Sequence, residues 1–358
     1  MRGKVMKIGR LLMIGFEGTE LSKEMVSLIG DYGIGGFVLF ERNLKAPEQI
    51  LALNKQLLRA DGDFVPVIAV DHEGGRVQRL KHPFTHLPSA RKIGEMYQRH
   101  KSIDFIYEYG SFIARELSVA GFNMVLAPVL DLPERAGGVI GDRAFSDVPL
   151  IIEEIGVSMI AGMQDNGVIA CAKHFPGHTD TMVDPHKGQA VADITSDELT
   201  RHMTPFIHAI ENRVGCIMVS HTLFKGMENV PASMSHRIIN VLLKKETGFK
   251  GIVITDDVKM AAISQTFTVS EAVVGSLRAG ADMVMVSTIT PEELKRVLDD
   301  MEIALTEGDV SKELVEDSLV RADIIKREVG VRGNVVYSVP EVLRMLDDEK
   351  HRSFIKKL

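Results

Sequence analysis

Residues 168–174 read Val-Ile-Ala-Cys-Ala-Lys-His, five apolar residues that end in two ionisable ones. The apolar part has the length and the β-branched content of a strand, and polar residues do not alternate within it. Such a run is typical of a parallel strand that is buried on both faces. Seven similar runs occur, at residues 11–16, 36–40, 65–70, 122–129, 216–220, 252–255 and 282–287.

Longer amphipathic segments separate these runs and predict helices. Residues 102–120, 147–166 and 196–212 carry apolar residues at helical spacing, and Thr195 and Pro291 mark helix starts. Eight strands that alternate with helices predict an α/β fold of the (β/α)8 type, the TIM barrel. A doubly wound open sheet is the alternative. No GxGxxG follows the first strand and no GxxxxGK[ST] occurs, so no phosphate-binding motif supports that alternative.

The length of the chain fits one barrel with an addition. We expect residues 1–308 to form the catalytic barrel and residues 309–358, which are charged and helical in pattern, to form extra C-terminal helices packed on it. The only two cysteines, Cys171 and Cys216, lie in apolar runs, which favours reduced, buried thiols over a disulfide.

The charge balance excludes some partners. The chain has 358 residues, with 42 basic and 49 acidic ones and a formal charge of −7. This balance argues against binding to nucleic acid or to an anionic membrane surface, since both need clustered Lys and Arg. The early apolar run at residues 11–15 is too short to span a bilayer and does not resemble a signal peptide. We therefore expect a soluble, cytoplasmic protein.

Ionisable residues gather where the apolar runs end. In a parallel barrel these ends meet at one face, where the catalytic groups of such barrels lie. One isolated charge there is an ordinary loop residue, but five strand ends with the same property indicate an enzyme. The residues concerned are Asp71, His72, Glu73, Arg76, Arg79, Asp131, Asp142, Arg143, Lys173, His174, His221, Asp256 and Asp257.

The loop after the fifth strand is the most unusual stretch, because three His and two Asp lie within residues 174–187. It could bind a metal ion, it could supply acid–base catalysis with Asp184 orienting His186, or it could be a polar loop with local hydrogen bonds. Metal-dependent barrel hydrolases usually carry an H-x-H pair at strand one. Here strand one ends Ile-Gly-Phe-Glu, and strand eight ends at Ser287 and Thr288 without an Asp. Acid–base chemistry is therefore the favoured interpretation.

Asp256 and Asp257 close the seventh strand. Neighbouring side chains on a strand point to opposite sides, so one carboxylate can face the barrel mouth while the other caps the following turn. A carboxylate at the mouth suits a covalent nucleophile at an acetal carbon.

Four motifs resemble glycoside hydrolase family 3, and in particular its single-domain β-N-acetylglucosaminidase branch. They occur along the chain in the same order as in the family. The fifth-strand loop is similar to the family's K-H-F-P-G-H-G-D-T-x-x-D-S-H. The other three are similar to its D-x-E-G-G-R-V-Q-R, its A-P-V-x-D with I-G-x-R-S-F, and its [ST]-D-[DA]-[LM]-x-M. In this chain they lie at residues 173–186, 71–79, 127–145 and 255–260.

The resemblance implies a retaining, two-step glycosidase that acts on terminal β-linked N-acetylglucosamine, from cell-wall fragments or chitin-type oligosaccharides. It implies that Asp256 is the nucleophile and that His186, paired with Asp184, is the acid and base. It assigns the sugar-binding positions to Asp71, Arg79, Arg143, Lys173 and His174. Asp131 and His221 are expected only to contact the substrate or to support the side chains that do. A small carbohydrate is the expected partner, with no cofactor and no metal, while the oligomeric state stays open.

The chain departs from the family pattern near the predicted acid. Thr179 replaces a Gly, which reduces backbone freedom, and Pro185 replaces a Ser, which restricts Asp184 to extended conformations. Ala144 stands where a Ser is usual. Four alternatives remain: a β-glucosidase or broader β-glycosidase of the same family, phosphate instead of water as the second nucleophile, a catalytically idle sugar-binding relative, and a metal-dependent hydrolase.

Overall fold

The computed structural model describes residues 7–133, 138–178, 188–333 and 337–358. Its centre is a sheet of eight parallel strands, each of which overlaps one of the predicted runs. The strands are β1 Leu12–Ile14, β2 Gly36–Leu39, β3 Val67–Val70, β4 Met124–Val125, β5 Ile169–Phe175, β6 Cys216–Val219, β7 Ile252–Thr255 and β8 Val284–Val286.

The sheet closes into a barrel. The hydrogen-bonded strand order is β7-β6-β5-β4-β3-β2-β1-β8, so strands that are consecutive in sequence are neighbours in space. The two end strands also meet, since Ile254 pairs with Met283 and the N–H of Thr255 donates to the carbonyl of Met283 at 3.2 Å. This closure confirms the (β/α)8 barrel and excludes the open doubly wound sheet.

Helices follow the strands and surround the barrel. They are α1 Lys23–Tyr32, α2 Pro47–Arg59, α3 Ala90–His100, α4 Ile103–Val119, α5 Pro149–Gln164, α6 Ser196–Glu211, α7 Ala261–Ser264, α8 Val269–Ala279, α9 Pro291–Glu307, α10 Lys312–Val329, α11 Val339–Leu346 and α12 Glu349–Ile355. A π-helical segment, Arg237–Glu246, takes the place of an α-helix between β6 and β7. Within the described residues, no helix is both long and apolar enough to cross a membrane.

The predicted helix starts are confirmed by their caps. The hydroxyl of Thr195 accepts the N–H of Glu198 at 3.2 Å, and the carboxylate of Glu198 accepts the N–H of Thr195 at 2.7 Å. This reciprocal capping box pairs two N–H groups that the first turn of α6 cannot pair itself. Pro291 is the first residue of α9, where the missing N–H of proline costs nothing.

Apolar side chains fill the interior of the barrel. Met13, Val38, Met124 and Ile254 belong to this cluster, together with both cysteines. Cys171 on β5 and Cys216 on β6 are register partners, and both are buried free thiols, as predicted.

Helix α10 covers the N-terminal face of the barrel. Its Ala322 and Ile325 join the interior cluster, and the Nζ of Lys326 donates to the carbonyl of Val65 at 3.0 Å, just before β3. Further on, Phe354 of α12 stacks on Phe112 of α4 with 4.8 Å between ring centroids. The division of the chain into a barrel of residues 1–308 and an extension of residues 309–358 stays a prediction.

Candidate active site

The C-terminal ends of the strands form a polar mouth that contains six of the eight predicted site residues. Asp71 follows β3, Lys173 and His174 lie within β5, and Asp256 follows β7. Arg79 comes after a short antiparallel pair of segments, His72–Gly74 and Val77–Gln78. Arg143 ends the 3-10 helix Gly141–Arg143. The other two predicted residues, Asp184 and His186, lie outside the described residues.

An ionic cluster occupies one side of the mouth and consists of Asp71, Glu73, Arg79, Arg143 and Lys173. The Nζ of Lys173 lies 2.9 Å from an oxygen of Asp71 and 2.7 Å from an oxygen of Glu73. Arg79 reaches the other oxygen of Asp71 at 3.2 Å. Arg143 binds both oxygens of Glu73 at 2.8 Å each. The cluster joins β3, β5 and the loop after β4, so it fixes these side chains before any ligand arrives.

The pKa values in the cluster show that its charges are retained. Burial raises the pKa of Asp71, but the adjacent Lys173 and Arg79 outweigh it and hold that pKa far below its usual range. Burial likewise raises the pKa of Glu73, and Lys173 with Arg143 brings it below the usual value. For Lys173, burial lowers the pKa, yet Asp71 and Glu73 raise it overall. At neutral pH the cluster therefore presents fixed charges to the mouth.

Asp131 holds His174 in place. The Asp131 carboxylate is fully buried and accepts the backbone N–H of His174 at 3.1 Å and of His178 at 2.5 Å. It also lies 2.7 Å from the Nδ1 of His174. Burial raises the pKa of Asp131, but the charge and hydrogen bond of His174 prevail and lower it to about 2. The ring of His174 is thus oriented through its Nδ1 by a carboxylate that is itself buried.

Across the mouth, Asp256 lies in a different setting, which we call the β7 site: Asp256, Asp257, His221 and Ser233. One oxygen of Asp256 accepts the N–H of Asp257 at 2.8 Å. His221 lies 2.9 Å from the backbone carbonyl of Asp257 through Nε2 and 2.7 Å from the hydroxyl of Ser233 through Nδ1. These contacts hold the chain at the end of β7 by hydrogen bonds instead of ion pairs.

The ionisation of the β7 site follows from these contacts. Burial raises the pKa of Asp256, while His174, His221 and the N–H of Asp257 lower it to below its usual value. Burial lowers the pKa of His221, and nearby Asp256 offsets this only in part. At neutral pH Asp256 is therefore a carboxylate beside a neutral imidazole.

Sequence reasoning missed the role of Glu73. Asp71 and Glu73 are two residues apart in an extended segment, so their side chains share a side, and that spacing was an available signal. The contact with Arg143 joins positions separated by 70 residues, which no local pattern shows. Ser233 was also missed, because a serine in a short 3-10 helix carries no distinctive signal.

No metal centre is visible in this part of the molecule. Among the described residues, no three or more His, Cys, Asp or Glu side chains are grouped so that they could hold an ion. Most of the loop that raised the metal hypothesis, residues 179–187, is not among them.

Residues 5–324 match the model of the glycosyl hydrolase family 3 N-terminal domain. The chain belongs to glycosyl hydrolase family 3. It is 36% identical over 298 residues to the β-hexosaminidase of Thiobacillus denitrificans, and the match covers 82% of each chain. This family 3 hydrolase is therefore a glycosidase, as the sequence predicted.

Solved structures agree with this assignment. The family 3 β-N-acetylglucosaminidase of Paenibacillus sp. FPU-7 superposes with a TM-score of 0.90 at 32% identity, over 99% of this chain and 68% of that one. NagZ of Neisseria gonorrhoeae, solved with N-trifluoroacetyl-D-glucosamine, gives a TM-score of 0.80 at 25% identity, over 97% of this chain and 96% of that one.

Proposed function

We propose that this family 3 hydrolase is a retaining β-N-acetylhexosaminidase that removes terminal β-linked N-acetylglucosamine. The observation that carries the proposal is the contrast between two carboxylates in one mouth. Asp71 has a cation at each oxygen, whereas Asp256 accepts a backbone N–H and faces a neutral imidazole. The first arrangement suits binding of hydroxyl groups, and the second leaves a carboxylate able to attack. The β-hexosaminidase name of the similar proteins supports the choice of sugar.

The proposed reaction has two steps. First, an oxygen of Asp256 forms a bond to the anomeric carbon while the bond to the leaving oxygen breaks, and His186 gives that oxygen its proton. Water then attacks the same carbon, His186 takes a proton from the water, and Asp256 leaves as a carboxylate. Asp184 orients His186 and stabilises its charged form.

Sugar binding falls to the opposite side of the mouth. We propose that Asp71, Arg79, Arg143, Lys173 and His174 bind the hydroxyl groups of the terminal sugar. Because these side chains are already paired with one another, with Glu73 or with Asp131, they keep their positions when water leaves the site. Preorganised charged groups of this kind lose little freedom on binding.

The natural substrates are proposed to be imported cell-wall fragments or chitin oligosaccharides in the cytoplasm. Purified peptidoglycan fragments and chitobiose, assayed in parallel, separate the two sources by which of them releases N-acetylglucosamine at the higher kcat/KM. The same assay with added inorganic phosphate distinguishes hydrolysis from phosphorolysis, because only phosphorolysis yields a sugar 1-phosphate.

The deciding experiment compares an aryl N-acetyl-β-glucosaminide with the matching aryl β-glucoside. We expect turnover of the first alone, and a fall of about 10²- to 10⁴-fold in kcat for His186→Ala. His86→Ala, at an exposed position, is the matched control and keeps full activity. Turnover of the glucoside instead identifies a β-glucosidase, and loss of activity with a chelator, restored by zinc, identifies a metal enzyme. No turnover of either substrate points to an idle sugar-binding relative.

A further inference from the structure

His221 is buried beneath the predicted nucleophile and is held from two directions. It is 1% exposed, and Ser233, which contacts its Nδ1, is 0% exposed. The backbone of Ser233 is itself fixed, because its N–H donates to the carbonyl of Ser220 at 3.0 Å. The imidazole is therefore buried and held at both of its nitrogens, next to the end of β7.

The contacts determine which nitrogen of His221 carries the proton. The carbonyl of Asp257 can only accept a hydrogen bond, so Nε2, which lies 2.9 Å from it, must donate. The neutral ring then has an unprotonated Nδ1, which accepts the hydroxyl proton of Ser233. The Asp257 carbonyl thus selects the tautomer, and Ser233 stabilises it by donating to the unprotonated Nδ1.

Asp257 is held at three of its groups. Its carbonyl accepts from His221, and its carboxylate accepts the N–H of Ser287 at 2.8 Å and that of Lys259 at 3.1 Å. Its own N–H donates to Asp256 at 2.8 Å. The position of one oxygen of Asp256 therefore depends on a peptide group that His221 helps to fix.

We propose that His221, whose ring Ser233 holds through Nδ1, is a positioning residue that fixes the Asp256–Asp257 peptide and so aims the second oxygen of Asp256 at the anomeric carbon. This inference rests on the proposed function, because it takes Asp256 as the nucleophile. His221 touches neither sugar nor reacting atoms, and it acts through Asp257.

The residue type fits this task better than a permanent cation would. A Lys or Arg at this position would form an ion pair with Asp256 and reduce its nucleophilicity, as happens to Asp71 beside Lys173. A neutral imidazole donates one directed hydrogen bond to the carbonyl and adds no charge next to the attacking oxygen. The charged and titratable groups that face it are Asp256, Asp257 and His174.

The first test measures kcat/KM for an aryl N-acetyl-β-glucosaminide, since this constant reports the first, bond-forming step. His221→Leu is expected to lower it about 100-fold, in line with an ångström-scale misplacement of a reacting group. His221→Gln, which keeps a donor at the same distance along the side chain, is expected to recover most of the loss. The dissociation constant of free N-acetylglucosamine, measured by calorimetry, should stay within about twofold, because the ionic cluster is untouched.

Ser233→Ala isolates the contact at Nδ1. It is expected to lower kcat/KM about tenfold, since the ring loses one of its two hydrogen bonds and is held less firmly towards the Asp257 carbonyl. Ser276→Ala is the matched control, because Ser276 is also a fully buried serine and, within the described residues, its hydroxyl has no hydrogen-bond partner. It should leave kcat/KM unchanged.

The second test separates positioning from a general structural role. Asp256→Gly opens space for azide, which can attack the anomeric carbon while the aryl oxide leaves. If His221 acts only through Asp256, the azide-dependent rate of Asp256→Gly/His221→Leu should match that of Asp256→Gly within about threefold. If His221→Leu lowers the azide-dependent rate of Asp256→Gly as much as it lowers kcat/KM of the unaltered enzyme, His221 has a general structural role. That result would overturn the inference.

The results also distinguish the positioning role of His221 from the nucleophile role of Asp256 on which it rests. If Asp256→Gly loses activity and azide restores it, the nucleophile is confirmed, and a His221→Leu enzyme with unchanged kcat/KM then overturns only the positioning role. If Asp256→Gly keeps its activity without azide, the proposed nucleophile is wrong and the inference falls with it.

Discussion

Asp71 and Asp256 follow strands β3 and β7, which lie opposite each other in an eight-stranded barrel, and they differ in what surrounds them. Asp71 has Lys173 and Arg79 at its two oxygens, while Asp256 has a backbone N–H and a neutral histidine nearby. Burial raises the pKa of both carboxyls, yet both are ionised at neutral pH: Lys173 and Arg79 dominate the lowering at Asp71, and His174, His221 and the N–H of Asp257 dominate it at Asp256. The difference shows how one barrel mouth can use the same side chain either to bind or to react, according to the charge of its neighbours.

Replacing each carboxylate by an amide tests whether Asp256 and Asp71 have different roles. Asp256→Asn is expected to lower kcat/KM about 10⁴-fold or more, because the amide cannot form the covalent intermediate. Asp71→Asn is expected to act mainly on KM, since it removes a binding group. Steady-state kinetics of both variants on one aryl glycoside decide the matter. A larger loss in kcat for Asp71→Asn than for Asp256→Asn contradicts the assignment of roles.

The ionic cluster should also matter for stability. Glu73→Gln leaves Lys173 and Arg143 without their shared buried counter-charge, so the free energy of unfolding should fall by about 3 kcal/mol. Urea denaturation at pH 7 measures the change. Glu17→Gln removes a carboxylate that is 71% exposed and pairs with Arg42, and it should cost less than about 0.5 kcal/mol. Equal effects of the two variants would show that burial of the cluster is unimportant.

Acid should weaken the contact between Asp131 and His174. The folded pKa of Asp131 is about 2, below its ordinary value near 3.8, so its contribution is complete above pH 4 and is lost as the pH falls towards 2. Between pH 5 and pH 2, the free energy of unfolding of the native protein should drop about 2 kcal/mol more than that of Asp131→Asn. Parallel slopes for the two proteins in urea titrations at each pH would contradict this.

The smallest effect is expected at the rim. Lys225, in the segment that follows β6, and Asp193 form an ion pair at 2.9 Å, but both side chains are more than half exposed. Lys225→Met should change the free energy of unfolding by less than about 0.5 kcal/mol and leave kcat/KM within about twofold. A tenfold loss of activity would show that the β7 site also depends on the charge of a lysine. Asp256 and Asp71 would then differ less in their dependence on neighbouring cations than we propose.

The fold was predictable because burial on both faces leaves a local signal. Each of the eight strands must be apolar along its whole length, and eight such runs stand out in the sequence. Strand β5 runs on to Phe175, beyond the predicted end at Ala172. The extra residues include Lys173 and His174, which are polar but buried, because Asp71 and Asp131 pair with them across 102 and 43 positions of the chain. Hydropathy reports only the residue itself and not such distant partners.

The site was predictable in part for the same reason. Asp71, Lys173, His174 and Asp256 follow or end apolar runs, so the barrel fold alone places them at one face. Their pairing is not local: Glu73 needs Arg143, and His221 needs Ser233, which lies 12 positions further on. The acid–base roles of Asp184 and His186 stay predictions.

The two free cysteines, which are register partners on β5 and β6, can report when these two strands separate. Burial, together with the hydrogen bond that the Cys216 thiol donates to Cys171, raises the pKa of Cys216. A thiol reagent can therefore react only after the two strands separate and expose the barrel interior. The labelling rate of the unaltered protein therefore counts rare openings of the wall that carries Lys173 and His174, without any introduced probe. A ligand that slows this labelling reveals that binding stiffens the wall itself.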